Sequence, residues 1–277
     1  MTDAAADDTV TETTFAIPSL VNLRDIGGHP STFGGVVRTG VVFRSTDLSR
    51  LTDTDRETLA ALDISVVFDL RTAAEQELRP DRVPDGARYV GLDVLADRQS
   101  GSIAASLVDI VADPVVAARE FGEGRAEQYL LESYRDFVTM PSAATSYRRL
   151  YTGIAHGDVP ALIHCSAGKD RTGWASAALL MFAGAPEDAI FVDYLKTNEL
   201  LLPKFEELFT RFEELGGDRG LLTPMLGVQR KYLEASIEEA LTRYGTIDEY
   251  FAEGLGLDDD TLQALRNRLV ATEDSVA

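Results

Sequence analysis

With 277 residues, 45% of them hydrophobic and 26% charged, the chain is long enough to bury a full core and has the composition of an ordinary globular protein. A formal net charge of -20 argues against nucleic acid or an anionic membrane as partner of the surface at large. No apolar run nears the roughly 18 residues of a membrane span, so stable membrane insertion is not expected, and the single cysteine excludes an internal disulfide and a cysteine-rich zinc site.

Residues 1–16 are Asp, Thr and Ala with almost no large apolar side chain, and they read as a disordered acidic tail. They hold neither a basic nor an apolar segment of a secretory signal, which points to a cytoplasmic protein, with export by a route that needs no signal peptide left open. Residues 17–277 contain no internal repeat and no Pro- or Ser-rich linker, so they are expected to form a single catalytic domain.

Short valine runs broken by glycine predict a hairpin over Gly34 to Phe43. Thr52, with Asp55 three residues on, caps a helix that presents Leu59, Ala60 and Leu62 and ends before Ile64. Ile64 to Leu70 is nearly continuous in apolar residues, as in a central strand covered on both faces. A short helix from Thr72 to Leu78 and a strand from Arg88 to Val94 follow. After a glycine-punctuated stretch, helical spacing appears in Glu127 to Val138 and again in 142–155, leading to a strand from Val159 to His164. The remainder reads as helices: Thr172 to Ala183, Pro186 to Leu201, Pro203 to Leu215, Val228 to Tyr244, and two short pieces to Val270. This alternation predicts an α/β fold whose central, mostly parallel sheet is flanked by helices, with a helical C-terminal part. In Pro203 to Leu215 the apolar stripe Phe205, Leu208, Phe209, Phe212 and Leu215 suits either a core-facing helix or a lid over a site.

The lone cysteine lies in Ile163-His-Cys-Ser-Ala-Gly-Lys-Asp-Arg-Thr-Gly173, at the end of an apolar strand, with Arg171 six residues on at the start of a helix. Such a strand-to-helix turn can aim successive backbone N–H groups and the positive end of the helix at one point, which suits a tetrahedral phosphate. Those donors and Arg171 favour the thiolate of Cys165 over the thiol, and a thiolate attacks phosphorus. The Arg171 fork can hold two phosphoryl oxygens. Ser166 and Ala167 are small and keep the bowl open, Gly168 removes a side chain where the backbone must turn close to the ligand, and the Thr172 hydroxyl can assist the departing thiolate. His164 can act on the thiolate through a hydrogen-bond network. The Gly-Lys pair is not a nucleotide-binding loop, which needs Ser or Thr after the lysine, where Asp170 stands.

The segment HCSAGKDRTG resembles the phosphate-binding loop of the protein tyrosine phosphatase superfamily, whose pattern is His-Cys, five residues, Arg, then Ser or Thr. Together with Asn22-Leu-Arg-Asp-Ile-Gly-Gly28, Phe43-Arg-Ser45 and Phe68-Asp-Leu-Arg71, it is similar to the bacterial PtpB-like tyrosine phosphatases over about residues 18 to 245. The resemblance implies a phosphatase-like fold with a helical lid, hydrolysis of phosphotyrosine through a phosphocysteine intermediate, and activity in some members on phosphoserine, phosphothreonine and phosphoinositides. It implies Cys165, Arg171, Asp170 and Thr172 as catalytic residues and His164, Ser166, Ala167, Gly168 and Lys169 as substrate-binding ones. No cofactor and no metal are implied.

Cleavage needs a proton donor for the leaving oxygen. Asp93 or Asp97, after the strand ending near Val94, could serve from an upstream loop. Asp170, directly before the arginine as in myotubularin-like lipid phosphatases, is the favoured candidate, against a role in capping the helix or orienting Arg171. Lys169, one of only four lysines, offers a second cation for a further phosphate, as in phosphoinositide phosphatases. Two other readings compete: a pseudophosphatase module that binds phosphorylated partners without turnover, and a rhodanese-like sulfur transferase.

Overall fold

The computed structural model describes residues 15, 17–98, 112–157 and 159–271. The expected tail lies outside the described residues except for Phe15, as does much of the glycine-punctuated stretch after residue 98.

Five strands form the main sheet: β1 (Arg24–Asp25), β3 (Val42–Ser45), β4 (Val66–Asp69), β5 (Arg88–Gly91) and β6 (Ala161–His164), in the order β1-β3-β6-β4-β5. Only β1 runs antiparallel. The strand that leads into the cysteine, β6, is therefore at the centre, with Ser45 and Asp69 in register with His164 on either side. Three loops leave the same sheet edge at that level, which is where an open parallel sheet places ligands.

Side chains alternate between two cores, because successive residues of a strand face opposite sides. Val42, Val66, Phe68, Ala161 and Ile163 face the larger core, whereas Phe43, Val67 and Leu162 face a smaller one closed by Ile17, Leu20 and Leu59. Both faces are covered, so the strands read as continuous apolar runs. Helix α1 (Asp53–Ala60) has the expected cap, Thr52 accepting from the Asp55 amide, and lies on the smaller core; α2 (Ala73–Leu78) follows β4.

On the other face lie α3 (Pro114–Phe121), α4 (Arg125–Thr139), α5 (Pro141–His156), α6 (Arg171–Phe182), α7 (Glu187–Leu201), α8 (Glu206–Glu214), α9 (Arg219–Leu226), α10 (Arg230–Tyr244), α11 (Ile247–Glu249) and α12 (Asp259–Leu269). Among the described residues no helix is long and apolar enough to cross a membrane.

The hairpin expected over Gly34 to Phe43 does not form. β2 (Val36–Val37) pairs instead with β7 (Val270–Ala271), and β3 enters the main sheet. Two valine runs a few residues apart carry no information about their partners, and β2 finds its partner more than 230 residues away. Helix α9 also escaped the sequence reading, since Pro224 lies inside it.

Three buried charges fasten α7 to the sheet. Asp193 bonds Arg24 Nε at 2.6 Å and Arg44 Nη1 at 2.5 Å, and the Arg44 Nη2 donates to the Gly168 carbonyl at 2.9 Å. Burial works against the Asp193 charge, but the two guanidinium groups hold its carboxyl down at about 2. A carboxyl depressed in the folded state stabilises fully above its unfolded value and loses that contribution as pH falls through the folded one. Asp193→Asn is expected to lower the unfolding free energy by about 3 kcal/mol at neutral pH, with the gap to wild type narrowing as pH falls from about 4 to about 2. Urea unfolding at the two extremes checks this; a gap that stays constant would rule out the Asp193 charge as its source.

Candidate active site

β6 ends at His164 and α6 begins at Arg171, so the six residues between cover one turn, with Cys165 at its start. Gly168 has φ +65°, and a Cβ there would stand 2.0 Å from the Ser45 carbonyl oxygen. The glycine is thus required by the neighbouring strand end; nothing about ligand clearance is needed to explain it. Its own carbonyl is held by Arg44 and by Asn22 Nδ2, both at 2.9 Å.

The turn opens into a cavity of about 520 Å³. Cys165, Ser166, Ala167, Lys169, Asp170 and Arg171 line it, whereas His164, Gly168 and Thr172 lie behind. The opposite wall is α8, with Phe205 just before it, and α9, through Phe205, Leu208, Arg211, Met225 and Leu226. The stripe expected over Pro203 to Leu215 therefore divides, with Phe205 and Leu215 flanking α8: Phe205 and Leu208 face the cavity, Phe209 and Phe212 are buried, and Leu215 is 52% exposed. The lining carries five basic side chains, Arg79, Arg98, Lys169, Arg171 and Arg211, against one acidic, Asp170.

Arg171 is held by a residue that the sequence reading missed. Glu75 on α2 takes Arg171 Nη1 at 2.7 Å and Nη2 at 3.1 Å, a two-point grip, and also accepts from Ser166 Oγ at 2.6 Å. Burial opposes the Glu75 charge, but Arg171 and these hydrogen bonds keep its carboxyl well below the usual range. Arg171 is shifted upward: burial counts against it and Cys165, Glu75 and Asp170 prevail. Glu75 completes a capping box with Thr72, which is the part of its role visible in the sequence.

Beneath Cys165 a second network occupies the sheet edge. The His164 Nε2 lies 3.0 Å from Asp81, its Nδ1 3.8 Å from Asp69, and Arg71 Nη2 bridges the two carboxylates at 2.7 and 2.9 Å. Tyr89 donates to Asp69 at 2.8 Å. Burial lowers the proton affinity of His164, yet Asp81 and Asp69 raise it beyond the ordinary value. Asp69, Asp81 and His164 are close enough to ligate a metal, but the cation between the two carboxylates is the Arg71 guanidinium. Asp69 thus serves Arg71 and Tyr89.

Asp170 and the two upstream aspartates differ in what they touch. Asp93 accepts from the Ala73 and Leu95 amides, and Asp97 from the Ser142 amide, so both hold loops and helix starts; neither lines the cavity. Asp170 is the N-cap residue of α6 but its side chain makes no cap hydrogen bond. Its Oδ1 accepts from Tyr134 at 3.0 Å, and its Oδ2 lies 3.6 Å from Lys169 Nζ. Lys169 donates to the Met225 and Gly227 carbonyls at 2.5 and 3.0 Å, the C-terminal end of α9. The Thr172 hydroxyl is buried with no hydrogen-bond partner among the described residues.

A model of the tyrosine phosphatase family matches residues 15–271. Three proteins are similar over most of the chain. A protein of Cupriavidus necator, provisionally named a tyrosine-protein phosphatase, is 30% identical over 88% of this chain and 84% of its own. The triple specificity protein phosphatase PtpB of Mycobacterium tuberculosis is 32% identical over 92% and 98%. A tyrosine-protein phosphatase of Nostoc commune is 30% identical over 82% and 73%.

Glutamine can keep the capping box but not the ion pair, so Glu75→Gln is expected to fold while leaving Arg171 less firmly oriented. Turnover of an aryl phosphate should fall about tenfold to a hundredfold, while inorganic phosphate, freed of a competing carboxylate, should inhibit at lower concentration. Steady-state kinetics with phosphate as inhibitor read both; unchanged turnover would deny Glu75 this role.

Proposed function

The chain belongs to the tyrosine phosphatase family, a cysteine-dependent phosphatase acting on phosphomonoesters, and from that premise we propose how its residues divide the reaction. The observation that carries the assignment is the placing of Cys165 and Arg171 at the two ends of one turn, both facing the same cavity, with the Arg171 fork already oriented by Glu75.

A phosphomonoester enters with its phosphoryl group over the turn, where Arg171 and the N-terminus of α6 meet its negative oxygens. The Cys165 thiolate attacks phosphorus; the S–P bond forms as the P–O bond to the leaving group breaks, and Asp170 gives its proton to the departing oxygen. Arg171 follows the equatorial oxygens as charge builds on them. In the second half, Asp170 takes a proton from a water that attacks the phosphocysteine, and phosphate leaves as the thiolate is restored. Thr172, whose buried hydroxyl has no other partner among the described residues, donates to that thiolate. His164 acts from below, with its ring nitrogens beside Asp81 and Asp69, which raise its proton affinity. Residues 17–277 are read as one catalytic domain.

The substrates proposed are phosphotyrosine proteins first, with phosphoserine, phosphothreonine and phosphoinositides as further classes; the similarity to a triple specificity phosphatase supports this breadth. Lys169 is the residue assigned to additional phosphates. Its three N–H groups face two carbonyls of the α9 end and Asp170, so binding a second phosphate requires it to give up at least one of them. The intact Cys165, Arg171 and Thr172 speak against the pure binding module, and the anion-binding lining speaks against sulfur transfer.

Parallel hydrolysis of para-nitrophenyl phosphate, a phosphotyrosine peptide and phosphoinositide vesicles tests the assignment. Cys165→Ser is expected to abolish turnover of all three, and Asp170→Ala to reduce the peptide far more than the activated ester, by about a hundredfold. Wild-type binding without turnover would favour the binding module. Lys169→Ala should lower phosphoinositide hydrolysis more than peptide hydrolysis; an unchanged ratio would remove Lys169 from lipid recognition.

A further inference from the structure

Asp170 meets two different environments. Its Oδ2 is the oxygen nearer Lys169, which lines the cavity, while its Oδ1 accepts from the hydroxyl of Tyr134 on α4. Tyr134 is fully buried and does not line the cavity. Its oxygen is also 2.6 Å from the hydroxyl of Tyr194 on α7, itself buried. Two phenols and one carboxyl thus stand in a row, drawn from three helices.

The row has a direction. A phenol has a single proton to donate. Tyr134 gives its proton to the hydrogen bond with Asp170, so the proton between the two tyrosines comes from Tyr194. Both hydroxyls are pushed well above the ordinary phenol value, by burial first and then, for each, by the charge of Asp170, so neither phenol supplies a proton to the reaction near neutral pH. A donor fixed on Oδ1 leaves Oδ2, which has Lys169 Nζ beyond hydrogen-bond distance at 3.6 Å, as the oxygen to carry the transferable proton. A hydrogen bond to a carboxylate is also stronger than one to the neutral acid. The Tyr134 bond therefore strengthens as Asp170 gives up its proton, which is the kind of interaction that lowers a barrier.

We propose that Tyr134 is a positioning residue for proton transfer, aiming Asp170 so that Oδ2 hands the proton to the leaving oxygen and later takes one from water, with Tyr194 fixing the direction of the Tyr134 hydroxyl. The Tyr134 proton itself stays in place throughout. This rests on Asp170 being the general acid.

The test is kcat/KM across a series of aryl phosphates from activated to poor leaving groups, for wild type, Tyr134→Phe, Asp170→Asn and the double variant. Phenylalanine keeps the ring contacts that Tyr134 makes with Phe137, Tyr194 and Tyr232, so the fold should persist, as a urea midpoint near that of wild type would show. Asp170→Asn is expected to lose about a hundredfold on the poorest leaving group and little on the most activated. Tyr134→Phe should lose about tenfold with the same trend, Tyr194→Phe less, and adding Tyr134→Phe to Asp170→Asn should change nothing beyond about twofold. A Tyr134→Phe loss that is equal for all esters, or losses that multiply in the double variant, would overturn the proposal while leaving Asp170 as the acid. A flat profile for Asp170→Asn would instead remove Asp170 from that role, and the proposal with it.

Discussion

A buried cation must have a partner, and Arg171 is buried where it lines the cavity. Glu75 supplies that partner, and much of the local structure follows from this pair. It requires α2 to start where it does, so that the capping box places the Glu75 carboxylate toward the turn, and it ties Ser166 to the same carboxylate. The arginine fork is thereby held in one orientation by two hydrogen bonds to Glu75, the kind of preorganisation that electrostatic catalysis uses.

Two further charge networks hold the turn from other directions. Below it, His164, Asp69, Arg71 and Asp81 tie the ends of β4 and β6 together around the residue that precedes the nucleophile. To one side, Asp193, Arg24 and Arg44 connect α7 to β1 and β3 and reach the carbonyl of Gly168. Neither network is a cheap way to stabilise a fold, since desolvating charges can cost as much as pairing them returns. What they supply is directional: each cation has fixed acceptors, and the backbone of the turn is pinned at Gly168 and at His164.

The overall charge of -20 and the basic lining of the cavity serve different ends. An excess of acidic side chains favours solubility and weakens attraction to polyanions, while five basic groups converge on the cavity that Cys165 lines. Lys169 joins this lining to the helices opposite, because its ammonium ends the α9 carbonyl row as a cation ends a helix.

Local patterns were enough for the central strands, most helices and the strand-to-helix turn that carries Cys165. Alternation and apolar runs report burial directly, and the His-Cys-to-Arg spacing places Cys165 and Arg171 at opposite ends of one strand-to-helix turn. Partners distant in the chain were not legible: β2 with β7, Glu75 with Arg171, Tyr134 with Asp170 and Asp193 with two arginines each join residues whose own neighbourhoods look ordinary. A glutamate in a capping box and a tyrosine at helical spacing carry the same local signal whether or not they touch a catalytic group. The sequence by itself determined that Cys165 and Arg171 stand at the two ends of one strand-to-helix turn, because this depends on spacing along one short segment. Only the tertiary structure decided which carboxylate faces the cavity and which are spent on holding backbone amides, because that depends on where folding brings separate helices and strand ends into hydrogen-bond distance.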